Sequence, residues 1–148
     1  RFKKRTNKKI RSNYSDKPNV ILRLCKSKPT NLSGKLTLKQ TATLNKKAKL
    51  FIGVDTAIMR VSIVNNTPVF AFFGPTAADN WDSWNNDLQC TLYQRSGGVQ
   101  KNGIHRVYSE AFDCIGCNLH GCNDTYESNC LKKLNMDPIK KNITEMVC

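Results

Sequence analysis

Two continuous apolar runs constrain this chain more than anything else in it. Leu50-Phe51-Ile52-Gly53-Val54 and Val69-Phe70-Ala71-Phe72-Phe73 are each of strand length and show no polar alternation. A strand apolar at every position has both faces covered, which is the habit of parallel sheets flanked by helices. Between the runs lies one helix length of chain. Asp55 and Thr56 offer N-cap side chains for a helix over about 56–65. Ile58, Val61, Ser62 and Ile63 are its candidate inner positions, and Asn66-Thr67-Pro68 ends it. Upstream, Thr37-Leu38-Lys39-Gln40 fits a capping box, and Leu38, Thr41, Ala42, Leu44 and Ala48 fall on one face of the helix it opens. The order helix, strand, helix, strand predicts an α/β doubly wound unit.

The remaining segments are read from weaker signals. Asn19–Leu24 has the composition of a short strand, followed by a polar connection over 26–31. After Pro75 the pattern loosens. Trp81 and Trp84 fall in a polar loop, and 85–113 is mixed, with Gly97-Gly98 and Gly103 as turn signals. Asp137-Pro138 reads as an N-cap with proline at the first helical position, opening a last helix with Ile139, Ile143 and Met146 inward. No window approaches the ~18 apolar residues of a membrane-spanning helix. No apolar stretch follows the basic N-terminus as a secretory signal requires.

The net charge of +13 would suggest a nucleic-acid binder until it is located. Residues 1–50 hold 16 Lys and Arg against the single acid Asp16, while 51–148 hold 8 against 10 acids. The charge belongs to one end, so it describes an arm or a face and not the fold. Residues 1–31 are therefore expected to be a basic, poorly ordered arm. Such an arm is either a solvated tail or an attachment to an anionic membrane surface.

Two places offer chemistry. In an open α/β sheet, ligands sit beyond the carboxyl ends of the strands. Asp55 and Thr56 fall at such an end and also at a helix N-terminus, where free amides and the positive dipole end favour phosphate. The plainer reading is that one of them simply caps the helix. The second strand end is Phe73-Gly74-Pro75-Thr76, where glycine permits a close backbone approach. Downstream, Cys114, Cys117, Cys122 and Cys130 bring four of the seven cysteines within seventeen residues. Reduced thiols packing a compact loop, a structural tetrahedral Zn²⁺, and a disulfide all fit that spacing. The odd cysteine count favours a reducing compartment.

Four stretches in order carry a resemblance: Leu32-Ser33-Gly34-Lys35-Leu36-Thr37-Leu38, Ala48 to Met59, Thr67-Pro68-Val69, and Phe72-Phe73-Gly74-Pro75-Thr76. Together they resemble the C-terminal domain of the ADP-heptose:lipopolysaccharide heptosyltransferases, glycosyltransferase family 9, and most the heptosyltransferase III branch. The tryptophan loop and the Cys114–Leu131 stretch extend the likeness, which covers 32–148. The resemblance implies one Rossmann-like half of a bacterial two-domain GT-B enzyme. Such enzymes pass heptose from ADP-heptose to the lipopolysaccharide inner core, with inversion and without a required cofactor. It implies Asp55, Thr56, Ala57, Met59 and Arg60 beside the donor, with Gly74 and Thr76 as a second wall. Ala57 stands where the family has glycine and Arg60 where it has histidine; arginine keeps a fork of donors for a diphosphate. The family's catalytic carboxylate lies in an N-terminal domain with no counterpart here, so no catalytic residue is assigned.

The expected organisation is a basic arm (1–31), a donor-binding α/β domain (32–112), and a Cys-rich loop with a C-terminal helix (113–148). The implied partners are the ADP-heptose donor, the lipopolysaccharide acceptor, an anionic membrane surface and a separate N-terminal half. The implied location is cytoplasmic, peripheral to the inner membrane. The alternatives are a basic nucleic-acid-binding protein with a zinc-stabilised cysteine cluster, and an inactive gene remnant.

Overall fold

The computed structural model of the chain describes residues 18–81, 84–85, 90–95 and 97–148. The described residues divide into two compact units, the first ending at Leu38 and the second running from Lys39 to Cys148. Residues 1–17, which hold most of the expected basic arm, lie outside the described residues.

In the first unit, 18–24 form a helix, α1. This corrects the strand expected over Asn19–Leu24. A strand needs a partner for its amides and carbonyls, whereas a helix satisfies them within its own turns. The Cys25 amide closes the last turn on the Ile21 carbonyl at 3.0 Å. Residues 29–33 border a small open groove with Pro18, Ile21 and Leu22. No described helix is long and apolar enough to cross a membrane.

The second unit is built on a four-stranded sheet in the order β1-β2-β6-β5. Strand β1 (Phe51–Val54) pairs in parallel with β2 (Val69–Phe72), setting Gly53 beside Ala71 and Val54 beside Phe72. Strand β2 pairs in parallel with β6 (His105–Ser109). Strand β5 (Gly98–Asn102) runs antiparallel to β6. The two-residue turn joining β5 to β6 has Gly103 at φ 55°, the left-handed conformation its first position needs. A separate antiparallel pair, β3 (Trp84–Asn85) and β4 (Cys90–Thr91), lies between β2 and β5 in the chain. The short helix α4 (Ala78–Trp81) precedes it.

Helices cover both faces of the central strands. Helix α3 (Ala57–Val64) connects β1 to β2, and its Met59 joins Val69, Ala71, Phe73, Ala78, Tyr93 and Val107 in one buried cluster. On the other face α6 (Met136–Val147) sets Ile139 against Phe70 and Tyr108, with Ile143 and Met146 packed at its edge. Period-2 alternation therefore sends Phe70 to one helix and Ala71 to the other. The expected inward positions of α6 are the ones it uses. Its cap is Asn135, whose side chain accepts from the Asp137 amide at 3.1 Å, two residues before the expected Asp137. Pro138 then falls in the first turn, where amides have no intrahelical partner to lose.

Two apolar expectations fail for one reason. Strand β1 ends the sheet, and nothing among the described residues covers its second face. Ile52 and Val54 are 49% and 44% exposed. Helix α2 (Leu38–Lys46) buries no residue completely, and its Leu38 and Leu44 are exposed. It is held by polar bonds instead. Asn45 Nδ2 donates to Ser62 Oγ at 2.7 Å, Asn65 Nδ2 to the Ala42 carbonyl and Thr67 Oγ1 to the Asn45 carbonyl, both at 2.9 Å.

Candidate functional site

Parallel pairing brings the two predicted turns together. Because Val54 lies beside Phe72, Asp55-Thr56 and Phe73-Gly74-Pro75-Thr76 leave neighbouring strands at the same edge of the sheet. The Phe73 amide still reaches the Tyr108 carbonyl at 2.8 Å, and the chain departs from the sheet after it.

Thr56 is the N-cap of α3. Its backbone is extended (φ −147°, ψ 163°), and its hydroxyl accepts from the Met59 amide at 3.4 Å. The plain capping reading therefore holds. A hydroxyl that accepts one bond still has its own proton to donate. The Arg60 amide takes the Thr56 carbonyl at 3.4 Å. Ala57 and Ile58 then supply the first-turn amides that no intrahelical carbonyl reaches. Ala57 is exposed.

Asp55 and Arg60 form an ion pair at 3.4 Å, with the carboxylate side chain 13% exposed and the guanidinium 41%. The α3 turn places positions 55 and 60 on the same side of its N-terminus. A half-exposed pair of this length contributes little stability. Its consequence is orientational: the aspartate is held at the mouth of the turn, beside the arginine.

Two of the expected donor residues are buried. Met59 is completely buried in the core cluster, so its side chain meets Val69 and Phe73 and not solvent. Gly74 is also buried. The close approach it permits is used by Cys130 and Leu131: a Cβ built there would lie 2.9 Å from Cys130 Sγ and 2.9 Å from Leu131 Cγ. Thr76 stays partly exposed.

The sequence reading missed a third turn at this edge. Tyr108-Ser109-Glu110 follows β2 in register at the carboxyl end of β6. Tyr108 donates its phenol to Glu110 Oε1 at 2.7 Å, and the Asn135 amide donates to the same oxygen. Burial first, then the Glu110 carboxylate, pushes the Tyr108 phenol up to about 12. The signal was available in Asn102-Gly103 between two β-rich stretches.

The four clustered cysteines lie within 114–130. Among the described residues no three His, Cys, Asp or Glu side chains converge as metal ligands. Cys114 and Cys117 are exposed, Cys122 is partly buried and Cys130 is buried, all as free thiols. Burial first, and the neighbouring thiols after it, push the Cys130 thiol up.

The model of glycosyltransferase family 9 (heptosyltransferase) matches residues 15–105, which includes β1, α3, β2 and both turns. The chain belongs to this family. A lipopolysaccharide heptosyltransferase 3 of Escherichia coli is 38% identical over 71 residues, which are 47% of this chain and 21% of that protein. The protein of that name in Escherichia coli strain K12 is 38% identical over 69 residues, 46% of this chain and 20% of its own length. This heptosyltransferase-family chain thus spans about a fifth of the length of the curated relatives it matches. No solved structure matches it significantly. Its mixed α/β sheet with helices fits a GT-B-like glycosyltransferase fold.

Proposed function

We propose that this chain is the donor-binding part of a heptosyltransferase of lipopolysaccharide biosynthesis, and that the ADP group of ADP-heptose lies across the carboxyl ends of β1 and β2 in a Rossmann-like half. One observation carries the reading: two parallel neighbouring strands deliver Asp55-Thr56 and Gly74-Pro75-Thr76 to one edge, with the N-terminus of α3 between them. The Ala57 and Ile58 amides and the helix dipole favour a diphosphate there. The Thr56 hydroxyl and the Arg60 fork add donors. Asp55 repels phosphate and suits a sugar hydroxyl. Thr76 borders the other side. The relatives' name supports a lipopolysaccharide acceptor.

We place the protein at the cytoplasmic face of the inner membrane. The excess of basic residues over 1–50 supports attraction to anionic lipid, at about 1 kcal/mol per basic residue near the surface.

Calorimetric titration of the whole chain with ADP, with ADP-heptose and with a short oligonucleotide tests this reading. Binding of both ADP compounds, weakened in Thr56→Val and Arg60→Ala, is the expected result. Binding of the oligonucleotide alone, falling steeply with salt, would give the site to nucleic acid instead. No binding of any of the three would make the chain an inert remnant.

A further inference from the structure

Residues 114–131 fold back onto the turn that follows β2. The Gly116 amide donates to the Gly74 carbonyl at 3.1 Å, and the Asn118 amide donates to the Pro75 carbonyl at 2.7 Å. Side chains close the same contact. Cys130 and Leu131 rest on Gly74, and a Cβ at Gly116 would fall 2.6 Å from the Ala77 Cβ. Real Cβ atoms essentially never come that close, so each segment carries a glycine where the other presses in. Gly116 also sits at φ 73°, which a side chain resists. Ala77, Ala78, Ile115 and Cys130 are all buried around the joint.

The segment is tightly wound. Asn118, Asn123 and Tyr126 have left-handed backbones, as do Gly116 and Gly121. Such conformations persist only where surrounding contacts offset their cost. The thiols supply packing at the joint. A buried Cys130 whose thiol stays protonated behaves as a small apolar side chain. Past Phe73 the chain has left the sheet, and the bonds to the Gly74 and Pro75 carbonyls come from the cysteine-rich segment.

We propose that residues 114–131 are the positioning element of the Gly74–Thr76 turn, with Gly116, Asn118 and Cys130 as positioning residues that fix how the turn meets an ADP group. The inference rests on the donor-binding reading of that turn.

Hydrogen exchange of the whole chain, read on peptides covering 73–78, tests it alongside ADP titration. Gly116→Ala is expected to speed exchange across 74–77 at least about ten-fold and to weaken ADP binding by about the same factor. Adding Ala77→Gly removes the Cβ collision and recovers part of both effects. Cys130→Ala is milder and keeps the chain folded if Gly116→Ala does not; it should speed exchange at 74–77 by roughly three-fold. Unchanged exchange at 74–77 in the variants, with only 114–118 loosened, overturns the proposal. So does faster exchange with ADP affinity intact. If the unaltered chain binds no ADP, the donor reading fails, and the exchange arm still decides whether the segment holds the turn.

Discussion

Replacing Met59 by alanine separates its two expected roles. A donor contact loses affinity on truncation and leaves stability alone; a core residue does the reverse. Met59 is 0% exposed and lies among Val69, Ala71, Phe73, Ala78, Tyr93 and Val107, where α3 meets β2 and β6. Truncating a buried methionine costs about 2–5 kcal/mol, and a site walled by strands collapses poorly, so about 3 kcal/mol is expected. Small domains hold roughly 5–15 kcal/mol, so the variant still folds. With a urea slope near 2 kcal/mol/M, the unfolding midpoint should fall by about 1.5 M. The Met59 amide is untouched and keeps its bond to Thr56, so the helix cap survives. ADP affinity measured without denaturant should therefore match the unaltered chain within about two-fold, a difference under 0.5 kcal/mol. Met59→Leu, which conserves volume, should cost less than about 1.5 kcal/mol. A ten-fold loss of ADP affinity with the urea midpoint unmoved would refute the core assignment.

Three further outcomes follow from burial. Phe70→Ala should cost about 3–5 kcal/mol in urea unfolding, whereas Ile52→Ala, in the half-exposed strand β1, should cost only about 1 kcal/mol; equal losses would mean that β1 is covered on both faces. Tyr108 has its folded pKa raised to about 12 from 10.0, so its contribution to stability is complete below about pH 10 and is lost as pH rises toward 12. Phenolate absorbance should show that late titration, and Tyr108→Phe should abolish it. With iodoacetamide on the folded chain, Cys114 and Cys117 should be alkylated before Cys130, because Cys130 is buried with its thiol pushed up. Mass spectrometry of the peptides reads the order, and early modification of Cys130 would contradict its burial against Gly74.

What the sequence determined by itself is local and periodic. The runs at 50–54 and 69–73 became strands β1 and β2, Thr56 became the cap of α3, and Ile139, Ile143 and Met146 became the inward stripe of α6. Each depends on neighbours within a few positions, where backbone sterics and side-chain period act directly. The family resemblance rested on the same stretches, which is why it was legible.

Only the tertiary structure decided which apolar surfaces find a cover. An apolar residue states a preference for burial and not the partner that supplies it. Ile52 and Val54 read like Phe70, yet β1 ends the sheet and leaves them exposed. Asn19–Leu24 reads like a strand and closes its hydrogen bonds as a helix. The sequence does not say that the Met59 side chain packs in the core or that Gly74 lies against Cys130. The joint between 74–77 and 114–131 joins segments some forty residues apart. No local pattern encodes such a contact, because it exists only once the sheet has set where both segments lie.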